Sequence, residues 1–388
     1  MRMHDWSALP EELLNEIVEK LDANVDYLAI RATCKSWRLA TQNMPLHYPK
    51  QLPLLMLPKD DNGSTHLTFS LSYDKNFQLK LPKADQRPWF CGSSKGWLVA
   101  MHEYPLITLW NPFTKAQIEL PPLTTLAGML SFQESRVWRD YKAHFVKWGS
   151  VNSFCREYMR NSCIHKLVLS NDPPWHPDSI IMVVFGFCKQ LAFCKHEDKK
   201  WNSVQAAFYV HDVMYYNKQF YVVDTFGAIS RFSADPFPRL VDVIPPLFLQ
   251  NESYYLLESN GELLQVVKYW FSVDRCKRIL DYKVLKLDME SGRRKRMKSL
   301  SDCSLFLGRN ESVCLSSRDF PGLKKNCIYF AEDSLIVDDA AAQKDDSGIF
   351  NMKDGSIIPF PCTSISRIGE PKLLWFHTTC RQNELLEL

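Results

Sequence analysis

The chain has 388 residues, 46% hydrophobic and 23% charged, with 47 basic and 44 acidic side chains that leave a formal net charge of +3. That balance excludes a strong global field for nucleic acid or an anionic membrane, and the apolar share is enough for a small module plus one large packed domain. Twelve cysteines are scattered without a C-x-x-C pair, as in compartments where thiols stay reduced. The longest apolar run, Ile180–Phe185, is too short to cross a bilayer and no signal-like segment opens the chain, so a cytoplasmic or nuclear protein is expected.

The first forty residues carry helical spacing. Pro10 suits a helix start, and Glu11 and Glu12 complement the positive end of the macrodipole. Leu13, Leu14, Ile17, Val18 and Leu21 recur at intervals of three and four, which places one apolar stripe on a helix over Pro10–Leu21. Asp26 is suited to cap a second helix bearing Leu28 and Ile30, and a third carries Cys34, Trp37 and Leu39.

After Thr41 the prolines at 45, 49, 53 and 58 interrupt any helix, and short alternating or β-branched segments take over. They fall into six groups of three to five strands between Leu54 and Ile358. Four-stranded meanders at roughly forty-residue spacing predict a β-propeller of six blades, with five and seven as neighbouring counts. The lone segment Leu373–Phe376 is placed to complete the three-stranded first group and close the ring. One stretch departs from this texture. Within 124–160, Ser131 and Glu134 stand at capping-box spacing ahead of Trp138, Tyr141, Phe145 and Trp148, which predicts an inserted amphipathic helix.

Leu9-Pro10, the apolar positions 13, 14, 17 and 21, and the closing Cys34-Lys-Ser-Trp37-Arg38 together resemble the F-box family over residues 6–38. Thr33 departs from the valine more usual there. The resemblance implies a three-helix F-box (1–42), a linker (43–51) and the propeller (52–388), with a Skp-type adaptor docking on Leu9, Pro10, Leu13, Leu14, Ile17, Leu28, Cys34 and Trp37. Physical reasoning agrees, because about forty residues without disulfide or metal bury too little surface to stand alone.

From Leu52 onward, Gly96-Trp-Leu-Val-Ala100, Leu109-Trp-Asn-Pro-Phe-Thr114, Leu191-Ala-Phe-Cys194 and Ile349-Phe-Asn-Met-Lys-Asp-Gly-Ser356 resemble the plant family pairing an F-box with a kelch-like propeller, known through its KIB members. That resemblance implies a non-catalytic, substrate-choosing subunit of an SCF-type ubiquitin ligase, joined through the adaptor to a cullin and holding an unidentified target protein on its propeller. The competing class is an adaptor-independent interaction scaffold.

Other motifs read more simply. Gly92-Ser-Ser94-Lys-Gly96 fits the G-x-S-x-G elbow of hydrolases, yet a strand rather than a helix follows it, so a hairpin is expected and no catalytic residue is assigned. His102-Glu103 and His196-Glu-Asp198 lack a second ligand cluster, so neither metal nor cofactor is expected. The basic run Arg293, Arg294, Lys295, Arg296 with Lys298 reads either as a nuclear import signal or as a charged edge strand that repels pairing.

Overall fold

Apolar runs buried on both faces set the architecture, seen here in a computed structural model. It describes residues 6–20, 30, 33–41, 52–57, 65–71, 75–80, 89–102, 106–112, 115–127, 129–134, 141–147, 150–155, 163–171, 178–186, 188–273, 276–320, 322–331, 347–360 and 373–377.

The N-terminal part holds a 3-10 turn, Trp6–Ala8, then α1 (Glu11–Glu19) and α2 (Lys35–Ala40). Pro10 lies at the N-cap of α1, one position ahead of the helix proper. Leu28 and the rest of the expected middle helix lie outside the described residues, apart from Ile30 and Thr33, which are helical.

Six blades follow. Blade 1 combines β1 (Leu54–Met56), β2 (Thr65–Ser70) and β3 (Lys75–Lys80) with β28 (Leu374–Phe376), and blade 2 is β4 (Trp89–Ser94), β5 (Trp97–Met101), β6 (Ile107–Trp110) and β7 (Gln117–Glu119). Blade 3 is β11 (Ile164–Leu169), β12 (Ile180–Phe185), β13 (Gln190–Lys195) and β14 (Asn202–Val204). Blade 4 is β15 (Val210–Tyr216), β16 (Gln219–Asp224), β17 (Ile229–Ser233) and β18 (Arg239–Ile244). Blade 5 is β19 (Glu252–Ser259), β20 (Glu262–Val273), β21 (Cys276–Asp288) and β22 (Arg293–Met297). Blade 6 orders β24 (Val313–Ser316), β23 (Cys303–Leu307), β25 (Cys327–Phe330), β26 (Gly348–Asn351) and β27 (Ile357–Pro359), with β23 and β25 parallel.

The ring closes as the pattern anticipated: Leu54, Leu55 and Met56 pair antiparallel with Phe376, Trp375 and Leu374. Six apolar clusters fill the six seams between neighbouring blades, the last two joining blade 6 to blade 1 and blade 1 to blade 2. Sandwiching explains why strands such as β12 are continuously apolar, since each face of a blade meets a neighbour.

The inserted helix is a correction. The stretch forms β8 (Met129–Glu134), β9 (Tyr141–Lys147) and β10 (Ser150–Cys155), an antiparallel three-stranded sheet lying in sequence between blades 2 and 3. Spacing of four, as between Tyr141 and Phe145, satisfies a strand's period of two as well as a helix's, and sheet pairing along β9 decided between them. Trp138 and Trp148, which completed the helical reading, lie outside the described residues.

Candidate functional site

In the N-terminal module the stripe on α1 divides. Leu14 and Val18 are buried, while Leu13 and Ile17, one turn apart, stay 48% and 43% exposed. Leu14, one of the residues expected at the adaptor contact, is fully covered within the chain. Pro10 is exposed and Leu9 half-buried beside it. Two further expected contacts have structural work: Cys34 caps α2 by accepting the Trp37 N–H at 3.4 Å, and the Trp37 indole donates to the carbonyl of Trp6 at 2.8 Å. That bond ties α2 to the opening turn and leaves Trp6 68% and Leu39 56% exposed. Four large apolar side chains are left open on so short a module, two of them, Leu13 and Ile17, one turn apart on α1, and water disfavours that exposure.

The propeller's inner strands are joined by a buried polar belt. Lys166 of β11 and Asp212 of β15 form an ion pair at 2.5 Å, with side chains 4% and 1% exposed. Asp212 also accepts the N–H groups of Val213 and Leu256 at 2.7 and 2.8 Å, which draws blades 3, 4 and 5 together. Lys166 reaches the Ser312 hydroxyl ahead of β24 at 3.4 Å. Ser93 donates to the Trp375 carbonyl, and Ser94 donates to Glu311, both at 2.6 Å, while accepting the Leu169 N–H at 3.1 Å. Each of β4, β11 and β15 shifts register at one residue, and Lys166 and Asp212 directly follow the shift. A bulge re-aims the side chain after it, which is how a charge in an apolar strand reaches the axis. Burial pushes the Asp212 carboxyl up, opposed by Lys166 and the two N–H donors.

At one end of the axis the belt opens into a cavity of about 440 Å³, lined among others by Lys95, Asn260, Cys314 and His377. Two-residue hairpins shape its rim. Lys95-Gly96 and Asn260-Gly261 hold positive φ at both positions, as a type I′ turn requires. Ser94 is therefore the end of a hairpin strand, as expected from the sequence, and its hydroxyl is committed to the belt. Burial pushes the thiols of Cys91 and Cys163 up to about 12, out of nucleophilic range at neutral pH.

His377 is held down to about 4 by burial. A folded value below the unfolded one means that the native state resists protonation, so its contribution is complete above the unfolded value near 6.5 and shrinks as pH falls toward 4. In thermal melts between pH 7 and 4, His377→Gln is expected to lose less stability than the parent chain. An identical pH dependence in the two proteins would contradict this.

The remaining candidates are surface features. Asp198 caps the β13–β14 turn by accepting the Lys195 N–H at 2.8 Å, and among the described residues no group of three or more His, Cys, Asp or Glu could hold a metal. Among the described residues, too, no helix is long and apolar enough to cross a membrane. Arg293–Arg296 of the basic run lie in β22, the outer strand of blade 5, and Lys298 follows its end. Arg294 is half-buried there, donating to Gln265, Pro245 and Gly227, while Arg293, Lys295, Arg296 and Lys298 are exposed.

A short helical module with an open apolar face ahead of a six-bladed propeller is the build of an F-box protein. The F-box domain model matches residues 6–48, and the KIB1-4 beta-propeller model matches residues 68–351. The chain belongs to the KIB1-4 beta-propeller family. It is similar to two Arabidopsis thaliana proteins: F-box protein SKIP23, 24% identical over 390 residues covering 92% of this chain and 91% of that one, and F-box protein At2g26160, 24% identical over 350 residues covering 86% and 97%. A solved protein of unknown function from Bacteroides caccae aligns with 84% of this chain and 99% of its own at 10% identity, with a TM-score of 0.33.

Proposed function

We propose that this protein is the target-choosing subunit of an SCF-type ubiquitin ligase. Its F-box binds a Skp-type adaptor and through it a cullin, and its propeller holds a target protein for ubiquitination and degradation. The chain performs no chemistry itself; it supplies orientation and effective concentration to a ubiquitin-carrying enzyme. The observation that carries the reading is the exposed apolar side of α1 with Pro10, Leu13 and Ile17, together with the exposed Trp6 and Leu39, on a module too small to be stable unpartnered. Helix faces of this kind are buried against partner helices.

Co-expression with a plant Skp-type adaptor tests it. The parent chain should retain the adaptor through size-exclusion chromatography, and Leu13→Ala with Ile17→Ala should weaken retention at least tenfold. Because both side chains are partly exposed, propeller melting should be unchanged. Failure of the parent chain to hold any adaptor would instead favour an adaptor-independent scaffold.

A further inference from the structure

Three aromatic rings stand in a row on the loops of blade 4, on the end where chain segments cross between blades. Phe208 precedes β15, Phe226 lies in the β16–β17 turn and Phe248 follows β18. The Phe208 and Phe226 rings meet edge to face at 4.7 Å, and Phe226 lies 5.7 Å from Phe248. Even so, Phe208 is 51% and Phe248 72% exposed.

The backbone is organised to keep the row outside the core. Phe248 has φ +52°, a left-handed conformation that a bulky side chain rarely adopts. Asp224 accepts the N–H groups of Phe226 and Ala228 at 2.8 and 3.0 Å, setting the turn that presents Phe226. Gly227 in that turn has φ +78°, and a Cβ there would stand 2.9 Å from the Tyr254 ring. Arg294 then clamps both supports, donating to the Gly227 carbonyl at 2.5 Å and to the Pro245 carbonyl at 2.7 Å.

The same arginine begins a positive edge. Arg296 follows it on the same side of β22 by the strand's period of two, and Lys298 comes just past the strand's end at Met297. Both are exposed, and among the described residues neither is in an ion pair. Arg294 ties this cationic edge to the loops that carry the rings, and an apolar row with unneutralised cations on the adjoining strand is complementary to a peptide that carries apolar anchors beside carboxylates. Nucleic acid fits less well, because the edge-to-face meeting of Phe208 and Phe226 uses ring face that stacked bases would need.

We propose that Phe208, Phe226 and Phe248, with Arg296 and Lys298, form the docking surface for the target protein, and that the target presents a segment pairing apolar side chains with Asp or Glu. This rests on the recognition role proposed above and names its surface and chemistry.

The test uses the full chain with its co-expressed adaptor, immobilised and probed with a phage-displayed library of random peptides. Enriched peptides should combine Leu, Phe or Trp with Asp or Glu. The best one, synthesised, should bind at least tenfold more weakly to Phe208→Ser with Phe248→Ser, and severalfold more weakly to Arg296→Glu with Lys298→Glu. Phe208→Ser alone, away from the left-handed residue, serves as the second variant. Absence of enrichment, absence of acidic bias, undiminished binding to the serine variants, or equal competition by a single-stranded oligonucleotide would each overturn the proposal. Adaptor retention is read on the same preparations. Peptide binding without adaptor would remove the ligase reading and leave this surface standing.

Discussion

Trp375→Ala is expected to destabilise the propeller by about 3–5 kcal/mol, the range for deleting a buried large aromatic side chain. Trp375 is 1% exposed and meets the rings of Phe306, Phe360 and Tyr329 at 5.1, 5.5 and 6.4 Å. Its carbonyl also accepts the Ser93 hydroxyl of the neighbouring blade. The strand that holds it has three residues and, among the described residues, pairs with β1 alone, so side-chain packing carries much of the closure. Opening it would expose the two seams flanking blade 1 together. Removing residues 373–388 should therefore abolish cooperative unfolding rather than merely lower the midpoint. Guanidinium unfolding followed by tryptophan-independent circular dichroism decides the matter, and a cost under about 1 kcal/mol for the point variant would refute the closure role.

Lys166→Met should cost about 3–5 kcal/mol, because it leaves the Asp212 carboxylate buried without its cation. Asp212 sits among the inner strands of three blades, so the loss would be felt as a global fall in stability rather than local fraying. Adding Asp212→Asn should recover part of it. The amide removes the charge and keeps one oxygen, which can serve the N–H of Val213 or of Leu256, while its amino group leaves the other N–H without an acceptor. A double-mutant cycle read by chemical denaturation measures the coupling. Additive effects of the two substitutions would show that the pair is not a unit.

Much of this was legible beforehand. The Leu9-Pro10 start, the spacing of Leu13, Leu14 and Ile17 and the Cys34–Arg38 ending located the F-box, and six strand groups plus the stray Leu373–Phe376 segment outlined a closed propeller. Two things were not legible. Spacing of four along residues 141–145 serves helix and strand alike, so the inserted sheet could be mistaken for a helix. Which residues of an apolar stripe stay open to solvent was also hidden, and Leu14 turned inward while Leu13 stayed out.

The polar belt left only a faint trace, a lysine and an aspartate each preceded by a histidine inside mostly apolar strands, each strand the first of its blade. Likewise Phe208, Phe226 and Phe248 are far apart in the chain and unremarkable singly. Periodicity and turn chemistry act over a few residues, so the sequence by itself determined the modules and the strand grouping, and strand pairing in the structure decided among five, six and seven blades and seated the closing strand. Lys166 meeting Asp212, and three phenylalanines meeting beside Arg294, are contacts between blades and between loops. They exist only once the ring has brought distant segments within a side chain's reach, and only the tertiary structure decided them.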